Sequence, residues 1–251
     1  MSIQFAWVNT LITTMTEQLA LNPDRTAIYV EQAFYQRWWN QATDVQRDQW
    51  RQFIANGQTE FVGGGWCMPD EANEHVWAGV DQFTLGNQLL MGQFGPDAMP
   101  TTVAQWDPFG HTAAYAYLMG SEAGMDGMYY GRQDYQERAM RTNESRLEYV
   151  WRPSSSLGED VQIFAHTDIA GNYGPYPGLN FDIQSHDGQI QDSDDPTMQL
   201  PNNVDYYVDL LVSQAQLRAN SSRTGQLLFT GKIPHVALHC IALHCMYLPA
   251  C

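Results

Sequence analysis

Hydrophobic residues recur along the chain at two different spacings. Over residues 2–25 a helical spacing places apolar side chains on one face, and Asn22-Pro23 ends the pattern. That face comprises Phe5, Val8, Leu11, Ile12, Met15 and Leu19. Short apolar runs typical of strands occupy 26–31, 59–64, 101–107, 126–131, 147–152, 161–166 and 226–231. Helices are predicted over 32–55, 70–94, 111–123, 133–146 and 204–219, and a Gly-, Pro- and Asp-rich loop over 170–202.

Strands that alternate with helices predict an α/β fold with a parallel sheet and crossover helices. In such folds the functional site lies beyond the carboxyl ends of the strands. Polar and Gly-rich residues collect at those ends here, in the stretches "GGGWCMPDE" (63–71), "WDPFGH" (106–111), "GRQDY" (131–135) and "AHTD" (165–168). We therefore expect the chemistry of the protein at this edge of the sheet.

Composition excludes some classes of partner. The chain has 251 residues, of which 44% are hydrophobic, so it can build a sizeable core. Its formal net charge of −16 argues against nucleic acid and against anionic membrane surfaces, which bind clustered Lys and Arg. No apolar run is long enough to span a bilayer, and the first residues lack the pattern of a signal peptide.

Asp107 is the first candidate for chemistry. Pro108 favours an extended backbone at Asp107, which directs the carboxylate away from the strand. A carboxylate held in this way can be a nucleophile, a metal ligand or the N-cap of the following helix, and the local sequence favours the cap. His111, four residues later, is a possible ligand or hydrogen-bond partner, although a buried structural role is commoner.

Other candidates are weaker. Asp70 and Glu71 fit the first turn of a helix, and Trp66 is either a sugar-stacking platform or a core residue. Arg132 and Asp134 can bind a polar ligand or each other, and His166 and Asp168 have a spacing that can chelate a metal. The last candidates are His and Cys residues in 233–245, a segment that is either a metal site or, as its change of composition indicates, the product of a frame error.

Six motifs occur in an order and spacing that match a known family. They are "EQAFYQRWWNQ" (31–41), "EFVGGGWCMPDEANEH" (60–75), "DQFTLGNQLL" (81–90), "WDPFGH" (106–111), "GMDGMYYGRQDYQ" (124–136) and "LEYVWRPS" (147–154). Together they closely resemble the catalytic domain of the class II α-mannosidases, glycoside hydrolase family 38, over roughly residues 2–231. The ordered set is specific, whereas no single motif is.

The resemblance implies a seven-stranded (β/α) barrel that removes α-linked mannose from N-glycan-type oligosaccharides with retention of configuration. It implies a zinc ion that contacts the sugar hydroxyls. Asp107 matches the nucleophile, which is also a zinc ligand, and Arg132 matches an active-site arginine that binds substrate. Tyr173 is expected to contact substrate, although its loop aligns poorly. Family members reside in the lysosome, the vacuole or the Golgi lumen.

The chain also departs from the family pattern. The strand that supplies a zinc histidine and a zinc aspartate has no counterpart here, and "KIPHVALHC" (232–240) replaces the segment with the proton-donating aspartate. We therefore expect an incomplete barrel over 1–231, an unrelated tail over 232–251, and little or no mannosidase activity from this chain alone. The alternatives are a non-enzymatic mannose-binding remnant and a barrel related to zinc-dependent polysaccharide deacetylases.

Overall fold

The structure, a computed structural model, describes residues 3–169, 176–180, 187–194, 197, 201–224, 227, 232–233 and 236–239. Its helices are α1 (Ile3–Leu21), α2 (Gln32–Trp39), α3 (Asp44–Ala55), α4 (Val76–Phe94), α5 (Ala113–Tyr117), α6 (Tyr135–Asn143) and α7 (Val204–Ser221). Its strands are β1 (Ala27–Tyr29), β2 (Thr59–Phe61), β3 (Thr102–Gln105), β4 (Gly127–Tyr130), β5 (Glu148–Trp151), β6 (Ile163–Thr167), β7 (Lys232–Ile233) and β8 (Val236–His239). A π-helical turn, Leu118–Glu122, continues α5.

The described strands form an α/β arrangement in which most neighbours are parallel. β1 pairs with β2, and a second sheet has the order β3-β4-β6-β5. The amide of Gly63, just after β2, donates to the carbonyl of Thr102 in β3 at 2.6 Å, which joins the edges of the two sheets. The prediction of a purely parallel sheet is wrong for β5, which is antiparallel to β6 because no crossover helix lies between them.

The seven-stranded barrel stays a prediction, because the described strands lie in sheets of two, four and two. The strand predicted over 226–231 lies outside the described residues apart from Leu227. In the segment expected to be an unrelated tail, only the antiparallel pair β7 and β8 is described. The His and Cys side chains of 233–245 lie outside the described residues, so the candidate metal site there stays a prediction.

The single helix predicted over 32–55 is wrong, since two helices occupy the segment. Thr43 interrupts it as the N-cap of α3: its hydroxyl accepts from the amide of Gln46, and the Gln46 side chain accepts from the amide of Thr43. This reciprocal capping box satisfies amide groups that a new helix leaves without partners. The sequence Thr-x-x-Gln carried this signal.

The helix predicted to begin at Asp70 begins at Val76 instead. The Asp70 carboxylate accepts from the backbone amide of Ala72 and the side chain of Asn73, which closes a local turn. Such turns compete with helix formation at Asp and Asn. The acidic residues thus belong to the loop that precedes α4.

The principal core lies between α1, α2, α3 and the strands β1 and β2. Tyr35, fully buried, contacts the rings of Trp50 and Phe61 at centroid distances of 4.8 and 5.1 Å in edge-on geometry, a favoured arrangement of aromatic pairs. Four residues of the predicted face of α1 are buried here: Val8, Ile12, Met15 and Leu19. Two tryptophans of this core donate to threonines of α1, Trp38 to Thr13 and Trp50 to Thr16. The side chains of this core thus pack against one face of β1 and β2.

A smaller cluster covers the opposite face of the strand ends. It contains Val30, Val62, Ala104 and Trp106, which follow or belong to β1, β2 and β3. The residues that continue beyond these strands therefore converge on one region. Among the residues that the structure describes, no helix combines the length and the apolar character that a membrane crossing requires.

Candidate functional site

Asp107 lies two residues beyond the end of β3. Its side chain is 41% exposed, and its Oδ1 accepts from Nη2 of Arg132 at 2.8 Å. The interpretation of Asp107 as a helix cap, which the local sequence favoured, is wrong: Thr112 caps α5, its hydroxyl accepting from the amide of Tyr115. The Asp107 carboxylate is thus directed into an open region and paired with a cation.

Arg132 reaches Asp107 because β3 and β4 run parallel in register. Gln105 lies opposite Tyr130, so the residues two positions past each strand end are also neighbours. Gly131 permits this approach, since a Cβ there would come within 2.6 Å of the Trp106 carbonyl. Asp134 is not the partner of Arg132; it caps α6 by accepting from the amides of Gln136 and Glu137. Tyr173 lies outside the described residues.

Glu71 binds the loop after β3, which carries Asp107. Its carboxylate, 1% exposed, accepts from the amide of Thr112 at 2.6 Å and from Nε2 of Gln105 at 3.0 Å. It also lies 3.1 Å from Nδ1 of His111, whose Nε2 lies 2.9 Å from the carbonyl of Arg132. Glu71 does not serve the first turn of α4, as the sequence indicated, but the loop after β3.

Glu31 is a further carboxylate beside this region that the sequence reasoning missed. It follows β1, is 8% exposed, and accepts from the amide of Met68 at 2.8 Å. Burial, chiefly, and the nearby charge of Asp107 raise the pKa of Glu31 to about 7, although the Met68 amide acts in the opposite direction. Its position at the end of a strand, like that of Asp107, was the signal in the sequence.

His166 and Asp168 line one small cavity, but each is engaged with other side chains. Nδ1 of His166 lies 3.7 Å from Glu148, and the His166 ring stacks on Tyr129 at a centroid distance of 4.4 Å. Asp168 forms a buried ion pair with Arg218 of α7 at 2.8 Å. Both residues are therefore engaged in packing at the end of β6.

Trp66, the candidate sugar-stacking residue, is half-buried and lies after β2.

The described residues do not by themselves fit a zinc site. Among them no group of three or more His, Cys, Asp or Glu side chains is placed so as to hold a metal, whereas catalytic zinc takes three protein ligands. Asp107 is paired with Arg132, and both ring nitrogens of His111 are within hydrogen-bond distance of other groups.

An open groove of about 890 Å³ adjoins the pair on the side of Arg132. Its walls include Phe109, His111, Arg132, Tyr135 and Trp151. Phe109 and Tyr135 are largely exposed, and the Arg132 guanidinium lies 5.4 Å from the centre of the Phe109 ring. The pair thus stands beside a cleft in which aromatic and charged groups are accessible.

The sequence matches the glycosyl hydrolases family 38 N-terminal domain over residues 5–232. The chain belongs to glycoside hydrolase family 38. Three curated family 38 relatives illustrate the similarity. An alpha-mannosidase of Canavalia ensiformis is 38% identical over 228 residues, 91% of this chain and 23% of the relative. A probable alpha-mannosidase of Arabidopsis thaliana is 40% identical over 230 residues, 91% of this chain and 22% of the relative. The lysosomal alpha-mannosidase of Bos taurus is 36% identical over 217 residues, 86% of this chain and 22% of the relative.

This family 38 chain spans less than a quarter of the length of these relatives. Membership of family 38 confirms the resemblance inferred from the six motifs. It places the chain among glycoside hydrolases and not among polysaccharide deacetylases. The 4-alpha-glucanotransferase of Thermococcus litoralis superposes on 64% of this chain and 25% of its own with a TM-score of 0.47 and 16% identity, a likeness too low to bear on fold or function.

Proposed function

We propose that the chain forms the nucleophile-bearing part of a retaining α-mannosidase, with Asp107 as the nucleophile. The observation that supports this most is the half-exposed Asp107 carboxylate at the carboxyl end of β3, paired with Arg132, a residue that lines the open groove. In a retaining glycosidase such a carboxylate attacks the anomeric carbon and forms a glycosyl ester, while a second carboxyl group protonates the leaving oxygen. Water then cleaves the ester with retention of configuration.

Arg132 has two roles in this proposal. Its guanidinium orients the Asp107 carboxylate through Nη2, and the family resemblance assigns the same residue to substrate binding. The planar, fixed geometry of the guanidinium limits the rotation of Asp107 before the attack. Tyr173 is proposed as a further substrate contact on the family resemblance alone.

The substrate we propose is the α-linked mannose of N-glycan-type oligosaccharides. The names of the relatives, plant and lysosomal alpha-mannosidases, support this class. They also support a lysosome-like or vacuolar compartment, with the Golgi lumen as the family's other location. A mannose-binding role without catalysis is the competing outcome that the experiment below distinguishes.

Zinc and the barrel belong to the same proposal. The resemblance assigns Asp107 as one zinc ligand, and at least one further ligand has to come from outside the described residues, since these hold no group of three. When bound, zinc would polarise and fix sugar hydroxyls. The parallel pairs β1-β2, β3-β4 and β4-β6, with the bond from Gly63 to Thr102, support a place for these strands in a seven-stranded barrel.

A graft tests the function directly. Residues 5–231 of this chain replace the matching segment of the Canavalia ensiformis α-mannosidase, and hydrolysis of an aryl α-mannoside is measured with added zinc. We expect the graft to hydrolyse the substrate and Asp107→Asn to lower kcat at least about 1,000-fold, as loss of a nucleophile does. Asp134→Asn, which removes a neighbouring charge but keeps the side-chain oxygen that caps α6, is the matched control and should keep most of the activity.

The 251-residue chain alone is measured beside the graft. We expect it to bind little zinc and to hydrolyse little substrate, because its described residues hold no complete metal site. Zinc-dependent hydrolysis by the chain alone, lost in Asp107→Asn, would contradict the expected inactivity and support the assignment of Asp107. A folded graft that binds mannosides without cleaving them would favour the mannose-binding role.

A further inference from the structure

We propose that Glu71 is a positioning residue that holds Asp107 and Arg132 in their paired geometry. Glu71 touches neither residue directly. It acts through the loop that carries Asp107 and through His111, which contacts the backbone of Arg132. That this positioning matters for catalysis rests on the proposed function. The positioning itself does not depend on that function.

The first connection runs through the loop after β3. Gln105, two residues before Asp107, and Thr112, five residues after it, both donate to the carboxylate of Glu71. The Thr112 hydroxyl adds a weaker contact at 3.3 Å. The loop that bears Asp107 is therefore fastened at both ends to one buried anion. A buried carboxylate needs several such donors, because burial without them is costly.

The second connection runs through the His111 ring. Nε2 of His111 lies 2.9 Å from the carbonyl oxygen of Arg132 and has to donate to it, because a carbonyl only accepts. Nδ1 lies 3.1 Å from the Glu71 carboxylate on the other side of the ring, and it donates to this carboxylate in the form of the ring that carries a hydrogen on both nitrogens. Glu71 thus fixes the orientation of a ring that holds the end of β4 at Arg132. His111, 14% exposed, is largely shielded from water that would compete for these bonds.

Both connections position the two partners of one contact, the hydrogen bond between Asp107 and Arg132. The first fixes the backbone on either side of Asp107, and the second fixes the backbone of Arg132. A 2.8 Å hydrogen bond joins their side chains. Loss of the Glu71 carboxylate should therefore loosen this bond even in a protein that stays folded.

Nuclear magnetic resonance of the ¹⁵N-arginine-labelled 251-residue chain tests the proposal without substrate. We expect Arg132 to give a separate, slowly exchanging Nη–H signal, assigned by its loss in Arg132→Lys. Glu71→Gln should speed the solvent exchange of this signal at least about tenfold, as expected when a hydrogen bond of a charged group is weakened. Glu137→Gln, which removes the carboxylate that binds Arg141, is the matched control and should leave the Arg132 signal unchanged.

Folding of each variant is checked by near-ultraviolet circular dichroism. An unchanged Arg132 signal in folded Glu71→Gln overturns the proposal. If Glu71→Gln does not fold, His111→Gln, which interrupts only the second connection, decides: a faster exchange supports the role, and an unchanged exchange overturns it. Because this readout needs no catalysis, its failure would leave the nucleophile assignment of Asp107 standing, and the failure of that assignment would leave this result standing.

Discussion

Three carboxylates near the ends of β1, β2 and β3 differ because their surroundings differ. Asp107 is half-exposed and pairs with one arginine. Glu71 is buried among several donors, and Glu31 is buried with the Met68 amide as its hydrogen-bond donor. Within one region the same functional group is thus an accessible partner of an arginine, a structural anion and a group with a raised pKa. Their roles follow from exposure and partners and not from residue type.

The environment of Glu31 predicts a pH dependence of stability. Its pKa is about 7 in the folded protein and near 4.5 in the unfolded chain, so the folded state binds the proton more tightly. The stabilisation is fully present below pH 4.5 and is lost as the pH rises through 7. Glu31→Gln should therefore flatten the fall in unfolding free energy between pH 4.5 and pH 7, measured by urea unfolding of the 251-residue chain without added zinc.

Glu17→Gln is the control for this measurement, because Glu17 is exposed on α1. It should leave the pH dependence of unfolding unchanged. A Glu31→Gln variant whose unfolding free energy falls as steeply as that of the wild type between these pH values would show that Glu31 is not the group responsible.

At the level of elements, α4 approaches the loop after β2 through a glycine. A Cβ on Gly86 would come closer to the Gly64 carbonyl oxygen than any nonbonded contact allows, and 2.7 Å from the carbonyl carbon of Gly65. The loop itself has positive φ at Gly63 and Gly64, 73° and 72°, which other residues rarely adopt. The helix can therefore approach the loop this closely only because glycines, which have no side chain, occupy the contact in both α4 and the loop.

Gly86→Ala should destabilise the protein by about 2–3 kcal/mol, since backbone and not a flexible side chain has to move. Gly92→Ala is the matched control in the same helix, where an added Cβ meets nothing within 4 Å. It should be neutral or stabilise the protein by about 0.5–1 kcal/mol through helix propensity. Thermal and urea unfolding measure both, and equal effects of the two substitutions would contradict this packing.

β5 is fastened to the end of α7 by Glu148. The carboxylate accepts from the hydroxyls of Ser222 and Thr224 at 2.7 and 2.9 Å. The nearby His166 ring, first, and these hydroxyls lower the pKa of Glu148 to about 2, although burial acts in the opposite direction. An edge strand that pairs with β6 is thus also attached to the end of α7, through one ionised side chain.

Acid should weaken this attachment. Because the pKa of Glu148 is lower in the folded protein, its stabilisation is present above pH 4.5 and is lost as the pH falls through 2. Glu148→Gln should lower the unfolding free energy at pH 6 and reduce its loss between pH 4.5 and pH 2. Glu159→Gln, which removes an exposed partner of Arg152, should do neither, and circular dichroism across the acid range measures the difference.

Sequence periodicity predicted these elements well where burial is one-sided. The strands over 26–31, 59–64, 101–107, 126–131, 147–152 and 161–166 all occur, each slightly shorter. The break at Thr43 and the late start of α4 were missed, because local side-chain hydrogen bonds overrode a helical pattern. The direction of β5 was missed because periodicity reports burial and not pairing.

At the scale of the whole molecule, the sequence predicted which strand ends lie together better than how the residues there pair. Since functional residues gather at the carboxyl ends of parallel strands, Asp107 and Arg132 were expected at one edge of the sheet, and the parallel pairing of β3 and β4 places them there. The ordered motifs predicted the family, which the match over residues 5–232 confirms. The contact between Asp107 and Arg132, and those of Glu71 with His111, join residues far apart in sequence, and no local pattern encodes them.

Covalent labelling tests the nucleophile assignment most directly. The graft is incubated with an activated fluorinated mannosyl fluoride, which allows a glycosyl ester to form and slows its hydrolysis, and is then digested for mass spectrometry. Our account predicts one mannosyl adduct on Asp107, and none in Asp107→Asn. A sugar bound to a different side chain, or hydrolysis that continues at the wild-type rate in Asp107→Asn, would contradict it.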